Sequence, residues 1–322
     1  MAAKAVDPCQ ARGGEGARHN GTMVLQEPLF PGFRVERVSA GPVSVHAVVG
    51  GAGPALLLLH GYAQTHAIWH KVAPRLAARF TVVCADLRGY GDSDKPPTDE
   101  RHAPYSKREM ARDQVELMRR LGFPRFLLAG HDRGGRVAHR LAMDHPEAVD
   151  RVAVLDISPT LAMYEQTDMA FARAYWHWFF LIQKAPVPET LIGADPAFYL
   201  RRKLDPWGLS GTSFFDPRAL AEYERCFTPA AIHAMCEDYR AAATIDLEHE
   251  RADGERRIEC PVHALWGERG VVHKLYTPVA DWQAKARGPV TGTATPTGHY
   301  IPEEAPGVLV GHMRAFFGDS LP

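Results

Sequence analysis

Short apolar runs alternate with longer amphipathic segments along most of this chain. Gly122 and Pro124 mark the end of one of those amphipathic segments, as expected for a helix stop. The apolar runs have the length and the flanking turn residues of strands, and they occupy residues 43–49, 55–59, 81–85, 126–129, 152–155 and 262–266. Segments with helical spacing occupy residues 68–78, 106–121 and 134–144. This alternation predicts an α/β fold with a mostly parallel sheet.

The strand pattern is interrupted by a long segment, residues 159–254, that is helical in pattern. Because this segment separates two strands of one sheet, we expect it to form a cap over the carboxyl ends of the strands, where open α/β sheets bind ligands. Most of its aromatic side chains should pack within the cap itself. These aromatic residues are Trp176, Trp178, Phe179, Phe180, Phe198, Tyr199, Trp207, Phe214, Phe215, Tyr223 and Tyr239.

The interrupted pattern predicts one catalytic unit. Residues 23–158 and 255–322 form its core, and residues 159–254 form the cap. The first 22 residues are rich in glycine, alanine and charge, and they lack the apolar stretch of a secretory signal. We therefore expect residues 1–22 to be a disordered extension.

Composition excludes several classes of partner. The 322 residues are 46% hydrophobic and 23% charged, with a formal net charge of −1, so the basic excess typical of proteins that bind nucleic acid or anionic membranes is missing. No apolar run approaches the roughly 20 residues that span a bilayer. Five scattered cysteines without a C-x-x-C pair indicate reduced thiols. We expect a cytoplasmic protein with a small-molecule substrate, without a nucleic-acid or membrane partner.

The strongest local signal is at residues 126–136 (FLLAGHDRGGR), where a strand leads through a glycine-rich turn into a helix. Residues 130–134 (GHDRG) fit the G-x-nucleophile-x-G turn, with Asp132 where a lipase or esterase has serine. The helix N-terminus, Arg133 and Arg136 should all favour an ionised Asp132. The alternative is that Asp132 only caps the helix.

Other segments support the catalytic interpretation. Residues 59–62 (LHGY) and 86–93 (DLRGYGDS) each follow a predicted strand, and residues 297–302 (TGHYIP) place His299 before the last helix. The chain then has the order nucleophile, acid, histidine. Residues 66–70 (HAIWH) imitate a zinc-binding helix, but the glutamate and a third ligand are missing, so no metal is expected.

From about residue 29 to residue 317 the sequence resembles the fluoroacetate and haloacetate dehalogenases of the α/β-hydrolase superfamily. The resemblance rests on the GHDRG turn with Arg136, and on residues 154–157 (VLDI), 175–178 (YWHW) and 235–240 (MCEDYR). It implies the α/β-hydrolase fold, a mostly parallel eight-stranded sheet with a helical cap inserted after strand 6. It also implies a homodimer and no cofactor.

The resemblance assigns the acid that orients His299 to Asp156. Many hydrolases of this fold place that acid after the strand that ends here near residue 267, but Gly270 occupies the position. Glu268 is the reserve candidate, although a solvated loop carboxylate is the simpler interpretation of it. A serine mechanism is disfavoured because the chain has no G-x-S-x-G.

These assignments predict a dehalogenase that converts haloacetate, including fluoroacetate, to glycolate and halide. Asp132 attacks the halogen-bearing carbon, and His299 then activates water against the aspartyl ester. The backbone N–H groups of Tyr62 and Arg133 are the candidate oxyanion hole. Arg133 and Arg136, three residues apart on one helix, suit a substrate carboxylate. By resemblance, the halide donors are His177, Trp178 and Tyr239.

Two other functions remain open at this stage. An epoxide hydrolase shares the aspartate nucleophile and would use Tyr175 and Tyr239 to activate the epoxide oxygen. Against it, a neutral epoxide would leave the Arg133 and Arg136 guanidinium groups buried without partners. The third function is a non-catalytic receptor that binds a small acid under the cap.

Overall fold

The computed structural model describes residues 29–207 and 211–318, together with a short antiparallel pair of strands, β1 (Arg18–His19) and β2 (Thr22–Met23). Within these residues one eight-stranded sheet has the strand order β10-β9-β8-β7-β5-β6-β4-β3. Strands β5 to β10 are parallel, and β4 and β3 extend the β6 edge as antiparallel strands. The strands are β3 (Arg34–Ser39), β4 (Ser44–Gly50), β5 (Ala55–Leu59), β6 (Thr81–Ala85), β7 (Phe126–His131), β8 (Val149–Leu155), β9 (Val262–Gly267) and β10 (Val290–Thr295).

The predicted α/β class and mostly parallel sheet are confirmed, and β5 and β6 have the predicted bounds. Strands β5 and β7 are buried along their whole length, which explains their continuous apolar runs. The apolar pattern did not identify β3 and β10. Both lie at an edge of the sheet and are largely solvent-facing, so they carry polar side chains instead of an apolar run.

Helices pack on the sheet and fill the segment between β8 and β9. They are α1 (Ala73–Leu76), α2 (Lys107–Arg120), α3 (Arg133–Asp144), α4 (Thr160–Glu165), α5 (Met169–Ala174), α6 (Trp176–Leu181), α7 (Val187–Ala194), α8 (Pro196–Leu204), α9 (Pro217–Cys226), α10 (Pro229–Ala243), α11 (Ile245–Ala252), α12 (Val271–Leu275), α13 (Pro278–Gln283), α14 (Ile301–Glu304) and α15 (Pro306–Gly318). None of the helices in the described ranges has the length and hydropathy that a membrane crossing needs.

The single helix predicted over residues 68–78 is wrong. The chain instead forms a 3₁₀ turn, His66–Trp69, followed by the short helix α1. Pro74 explains the break, because proline has no N–H to donate to the carbonyl four residues earlier and its ring clashes with that carbonyl. The predicted helices at residues 106–121 and 134–144 correspond to α2 and α3.

Helices α4 to α11 lie between β8 and β9, which is the helical insertion after the sixth strand of the main sheet. The boundaries of the core at residues 158 and 255 stay a prediction. The predicted extension 1–22 lies outside the described residues, apart from Arg18–His19 and Thr22. The described cysteines, Cys84, Cys226, Cys236 and Cys260, are free thiols.

The strand order places a topological switch beside β5. From β5 the chain continues to β6 on one side, and β7 then pairs with the opposite side of β5. Loops that leave neighbouring parallel strands in opposite directions open a crevice at the carboxyl ends of those strands. The loop after β5 carries Tyr62, and the turn after β7 carries Asp132, so both lie at this crevice.

Candidate active site

Asp132 is the residue between the end of β7 and the start of α3, and its φ of 48° is in the left-handed region. Close packing of the turn explains its two glycines. A Cβ on Gly134 would lie 2.5 Å from the carbonyl oxygen of His60, and a Cβ on Gly130 would lie 2.3 Å from the carbonyl oxygen of Gly134. The backbone N–H of Tyr62 donates to Oδ1 of Asp132 at 2.9 Å. The carboxylate is therefore held at the crevice, where Asp132 is only 5% exposed.

The charges around Asp132 favour its ionised form. Burial by itself would raise the pKa of the carboxyl group, but His299, His131, Arg136 and Arg133 lower it, and the balance brings the pKa of Asp132 to about 2. The side chain is thus a carboxylate at neutral pH, and it lies where few waters compete for it. A buried, ionised carboxylate with a fixed direction can act as a nucleophile.

His299 and Asp156 form a hydrogen-bonded pair. Nδ1 of His299 lies 2.5 Å from Oδ2 of Asp156, and Oδ1 of the same carboxylate accepts from the backbone N–H of Gly267 at 3.0 Å. Asp156 follows the last residue of β8, again with a positive φ, 54°. Glu268 is exposed, and its nearest charged partner is Arg269 at 3.9 Å. Asp156, and not Glu268, is the acid in contact with the histidine.

His131 is a residue of the site that sequence reasoning missed. Its Nε2 lies 2.8 Å from the carbonyl oxygen of His299, and the two imidazole rings are 4.6 Å apart. Burial lowers the pKa of His131 to about 3, so the ring is neutral. A neutral ring that donates from Nε2 fixes the backbone of the loop on which His299 lies. The only sequence signal was its position beside Asp132.

Arg133 does not have the free guanidinium that the sequence suggested. Its Nε and Nη2 donate to the carboxylate of Asp238 at 2.8 and 2.7 Å, and both groups are fully buried. The expectation that Arg133 would lack a partner without a bound anion is therefore wrong. The partner comes from α10 of the insertion, 105 residues away, and such distant pairing is invisible in the sequence.

Asp238 is the centre of a buried charged cluster. Besides Arg133, it contacts the ammonium of Lys107 from α2 and accepts from the hydroxyl of Tyr90 at 2.7 Å. Burial would raise the pKa of Asp238, but the charges of Arg133 and Lys107 outweigh it and hold that pKa well below its usual value. Arg133 and Lys107 share this carboxylate, and Lys107 also lies 3.6 Å from Oδ2 of Asp246, so two carboxylates balance the two cations.

Arg136 has no ion pair among the described residues. Its Nη1 donates to Oγ1 of Thr160 at 2.8 Å and to the carbonyl of Ser158 at 3.3 Å, and its guanidinium lies 4.7 Å from the ring of Trp178. Burial lowers the pKa of Arg136, although Asp132 opposes this effect. A buried guanidinium with only neutral partners is suited to bind an anion.

Four buried donors around this arginine pair have no hydrogen-bond acceptor in the described part of the chain. They are Nη1 of Arg133, Nε of Arg136, Nε1 of Trp178 and the hydroxyl of Tyr239. The four side chains are neighbours: Arg133 lies 4.1 Å from the ring of Tyr239, and the rings of Trp178 and Tyr239 are 6.4 Å apart. Unsatisfied buried donors are costly, and a cluster of them beside a carboxylate predicts that a small anionic ligand supplies the acceptors.

His177 joins this cluster through its ring. The imidazole stacks on Tyr62 at 6.0 Å and meets Tyr239 edge-on at 5.7 Å. Its Nδ1 lies 3.1 Å from the ammonium of Lys203, a buried residue of α8 that the sequence analysis did not consider. The structure therefore brings His177, Trp178 and Tyr239 together, although α6 and α10 are far apart in sequence.

The groups that could hold a metal ion lie elsewhere. Three clusters in the described residues bring three possible ligand atoms within 4.8 Å of one another, and none includes Asp132, Asp156 or His299. In the buried cluster, Asp86 already accepts from the backbone and the ring of His66 at 2.7 and 3.0 Å. The clusters are His46, His66 and Asp86; Asp92, Glu222 and Cys226; and Glu189, His233 and Glu237.

Comparison with known proteins agrees with this geometry. Residues 54–284 match the family described as alpha/beta hydrolase fold. A fluoroacetate dehalogenase from Burkholderia sp is 48% identical over 91% of this chain and 96% of its own length. A soluble epoxide hydrolase from Corynebacterium sp. (strain C12) is 34% identical over 85% of this chain and 93% of its own. The crystal structure of an alpha/beta hydrolase from Nostoc sp PCC 7120 superposes with a TM-score of 0.88 at 54% identity, covering 89% of this chain and 98% of that one.

Proposed function

Because the chain belongs to the haloacetate dehalogenase family of the α/β-hydrolase superfamily, we propose that it hydrolyses haloacetate, including fluoroacetate, to glycolate and halide through an ester on Asp132. The family makes the chain a hydrolase that acts on carbon–halide bonds. The substrate and the steps are our proposal. The observation that carries it is the set of four buried donors without acceptors beside an ionised, buried Asp132.

Haloacetate matches the site in charge. Its carboxylate would accept from Arg136 and from the remaining Nη1 of Arg133, and its halogen would point toward Trp178 and Tyr239. Guanidinium groups suit the carboxylate of this molecule, and neutral N–H and O–H donors suit its halogen. In this orientation the carbon between the carboxylate and the halogen would lie near Asp132. Such positioning lowers the barrier to attack by several kcal/mol.

In the first step, an oxygen of Asp132 forms a bond to the halogen-bearing carbon while the carbon–halogen bond breaks. The electron pair of that bond leaves with the halide, and an ester links Asp132 to the acetate group. The N–H of Trp178, the hydroxyl of Tyr239 and an N–H of His177 stabilise the leaving charge. Fluoride needs these donors most, because it is the most basic of the halides.

In the second step, water attacks the carbonyl carbon of the Asp132 ester, and His299 accepts the proton of that water. Asp156 orients the imidazole and stabilises its charged form. The oxyanion that develops on the former carboxylate is stabilised by backbone N–H groups, for which Tyr62 and Arg133 are the candidates. The contact of 2.9 Å from the N–H of Tyr62 to Oδ1 of Asp132 supports the first of them. The C–O bond of the ester then breaks, His299 gives its proton to the departing alkoxide oxygen of glycolate, and Asp132 loses the remaining proton to solvent and becomes a carboxylate again.

An epoxide hydrolase is the second candidate, because a relative with that name is 34% identical over most of its length. The pairing of Arg133 with Asp238 weakens the argument that two guanidinium groups would be left unpaired. Arg136 still favours an anionic substrate, since its guanidinium has no carboxylate partner in the described ranges. A neutral epoxide would leave that charge buried without compensation.

The decisive experiment measures halide and glycolate release from fluoroacetate, chloroacetate and bromoacetate, with styrene oxide as a neutral epoxide. Asp132→Asn is the matched control, because it keeps the size of the side chain and removes its charge. We expect release from the haloacetates and none from the variant. Turnover of the epoxide without halide release would establish the second candidate, and halide release that Asp132→Asn retains would exclude the aspartyl ester.

A further inference from the structure

The buried ammonium of Lys203 has no role in the steps above. Lys203 lies on α8 and is 6% exposed, yet its ammonium has no ion pair among the described residues. It lies 4.0 Å from the centroid of the Trp207 ring and 3.1 Å from Nδ1 of His177. A buried lysine without a carboxylate partner is a costly arrangement, which calls for a functional explanation.

The contact with His177 restricts the proton of the imidazole. An ammonium carries three N–H donors and no acceptor, so the charged form of Lys203, at 3.1 Å, can only donate to Nδ1, and Nδ1 then carries no proton. Burial and the nearby charge of Lys203 lower the pKa of His177 well below its usual value, so the ring is neutral. A neutral imidazole has one N–H, and here that proton has to be on Nε2.

We propose that Lys203 is a positioning residue of the halide site, which fixes the His177 proton on Nε2 so that this N–H is held as a donor to the departing halide. The inference rests on the proposed dehalogenase function. Without Lys203 the ring can also carry its proton on Nδ1, and Nε2 then presents a lone pair that repels the halide. The positive charge of Lys203 also polarises the ring, which makes the Nε2–H a stronger donor.

The charges around Lys203 suggest that its own ionisation matters. Burial lowers the pKa of Lys203 to about 7, and the negative charge of Asp132 works against that effect. His177 from α6 faces the ammonium as a neutral ring, and the ring of Trp207 lies between Lys203 and His299. The carboxylate of Asp205, which follows α8, pairs with Arg202 at 3.5 Å. The charged form is the active one, so halide displacement should weaken as the pH rises through the pKa of Lys203.

The test uses Lys203→Met, which keeps the chain length without the charge, and Lys203→Arg, which keeps a charge that does not titrate. With Lys203→Met we expect kcat for fluoroacetate to fall about tenfold or more, and kcat for bromoacetate and both KM values to change by less than about threefold. Lys203→Arg should restore most of the fluoroacetate rate. Lys71→Met controls for a loosened cap, because Lys71 donates to the carbonyl of Phe214 and pairs with the buried carboxylate of Glu303 at 3.1 Å, away from the site.

The pH profile of kcat/KM gives a second measurement on the same variants. The wild type should lose activity on fluoroacetate above about pH 7, and this basic limb should be absent from Lys203→Met and Lys203→Arg. Equal losses for fluoroacetate and bromoacetate, with the limb retained, would mean that Lys203 only packs the cap, and the inference would be wrong.

A measurement that needs no turnover separates the inference from the proposed function. Nitrogen-15 spectra of histidine-labelled protein report which ring nitrogen of His177 is protonated, and His177→Gln identifies the signals. We expect the proton on Nε2 in the wild type and a mixture in Lys203→Met. A wild-type proton on Nδ1 overturns the inference even if the enzyme is active. Absence of halide release with the proton on Nε2 overturns only the dehalogenase function.

Discussion

On the core side of the site the Asp132 carboxylate and the His299 imidazole are hydrogen-bonded, whereas two donors on the cap side are not bonded to any described residue. Asp132 accepts from the N–H of Tyr62, and His299 is bonded to Asp156. Across the crevice, the indole of Trp178 and the hydroxyl of Tyr239 find no acceptor among the described residues. The core therefore holds Asp132 and His299 in place, while the cap contributes donors that a bound anion would satisfy.

The two sides also differ in how they are built. The core groups lie in turns directly after β7 and β8 and in the loop after β10, each within a few residues of the end of a strand. The cap groups come from α6, α8 and α10, which meet only because the insertion folds over the sheet. Changes on the core side should stop turnover for every halogen, and changes on the cap side should alter which halide can leave.

The largest effect is expected from His299→Asn, which separates the two chemical steps. The variant keeps Asp132 and the donors, so the ester forms, but its hydrolysis should slow by about 10⁴-fold without the base. Intact-protein mass spectrometry after incubation with chloroacetate should show one added acetate group per chain. The double variant with Asp132→Asn should show no added mass. Continued turnover without trapped ester would contradict the proposed role of His299.

The second-largest effect is expected from a change at Asp238, which joins the cap helix α10 to Arg133 of the core. Asp238→Asn leaves Arg133 buried without its carboxylate and leaves Lys107 with only Asp246, at 3.6 Å, so the free energy of unfolding should fall by about 3–5 kcal/mol. Asp253→Asn is the matched control, because Asp253 pairs with Arg140 in a comparably buried ion pair away from Asp132. Urea denaturation measures both losses. Only Asp238→Asn should also raise KM for haloacetate, and equal KM values would show that Asp238 does not orient Arg133.

On the cap side, Trp178→Phe removes the indole N–H. No hydrogen bond within the described part of the chain is lost, because this N–H has no acceptor there. We expect kcat for fluoroacetate to fall about 100-fold, with a smaller loss for bromoacetate. Trp69→Phe removes an equally buried and unpartnered indole N–H from the core, so it should change stability similarly and leave the halogen order unchanged. Equal losses for the two acids would exclude a donor role for Trp178.

The smallest effect concerns the charge of Asp132 in acid. Its pKa is about 2 when folded and about 3.9 when unfolded, so its ionisation stabilises the protein above about pH 4, and this contribution is lost as the pH falls. Between about pH 6 and about pH 2.5 the wild type should lose about 2 kcal/mol more stability than Asp132→Asn. Urea titrations across this range measure the difference. A constant difference between the two proteins would mean that the pKa of Asp132 is not lowered by folding.

Local sequence was enough to find the core side of the site. The GHDRG turn located Asp132 because its glycines are required by close backbone contacts, and the Gly-His segment before the last helices located His299, whereas Asp156 came from the family resemblance. The same reasoning missed β3 and β10, whose exposed faces remove the apolar run, and it placed one helix across Pro74. A family resemblance, and not a pattern of spacing, supplied His177, Trp178 and Tyr239.

The sequence by itself determined the α/β class, the position of the insertion and the candidate nucleophile, because buried strands, turns and helix starts depend on residues that are close together in the chain. Only the tertiary structure decided that Arg133 is paired with Asp238, that His131 supports the His299 loop and that Lys203 contacts His177. These contacts join residues 105, 168 and 26 positions apart. Burial removes water as a competing partner, so the charge and the proton of each group depend on neighbours that folding alone supplies.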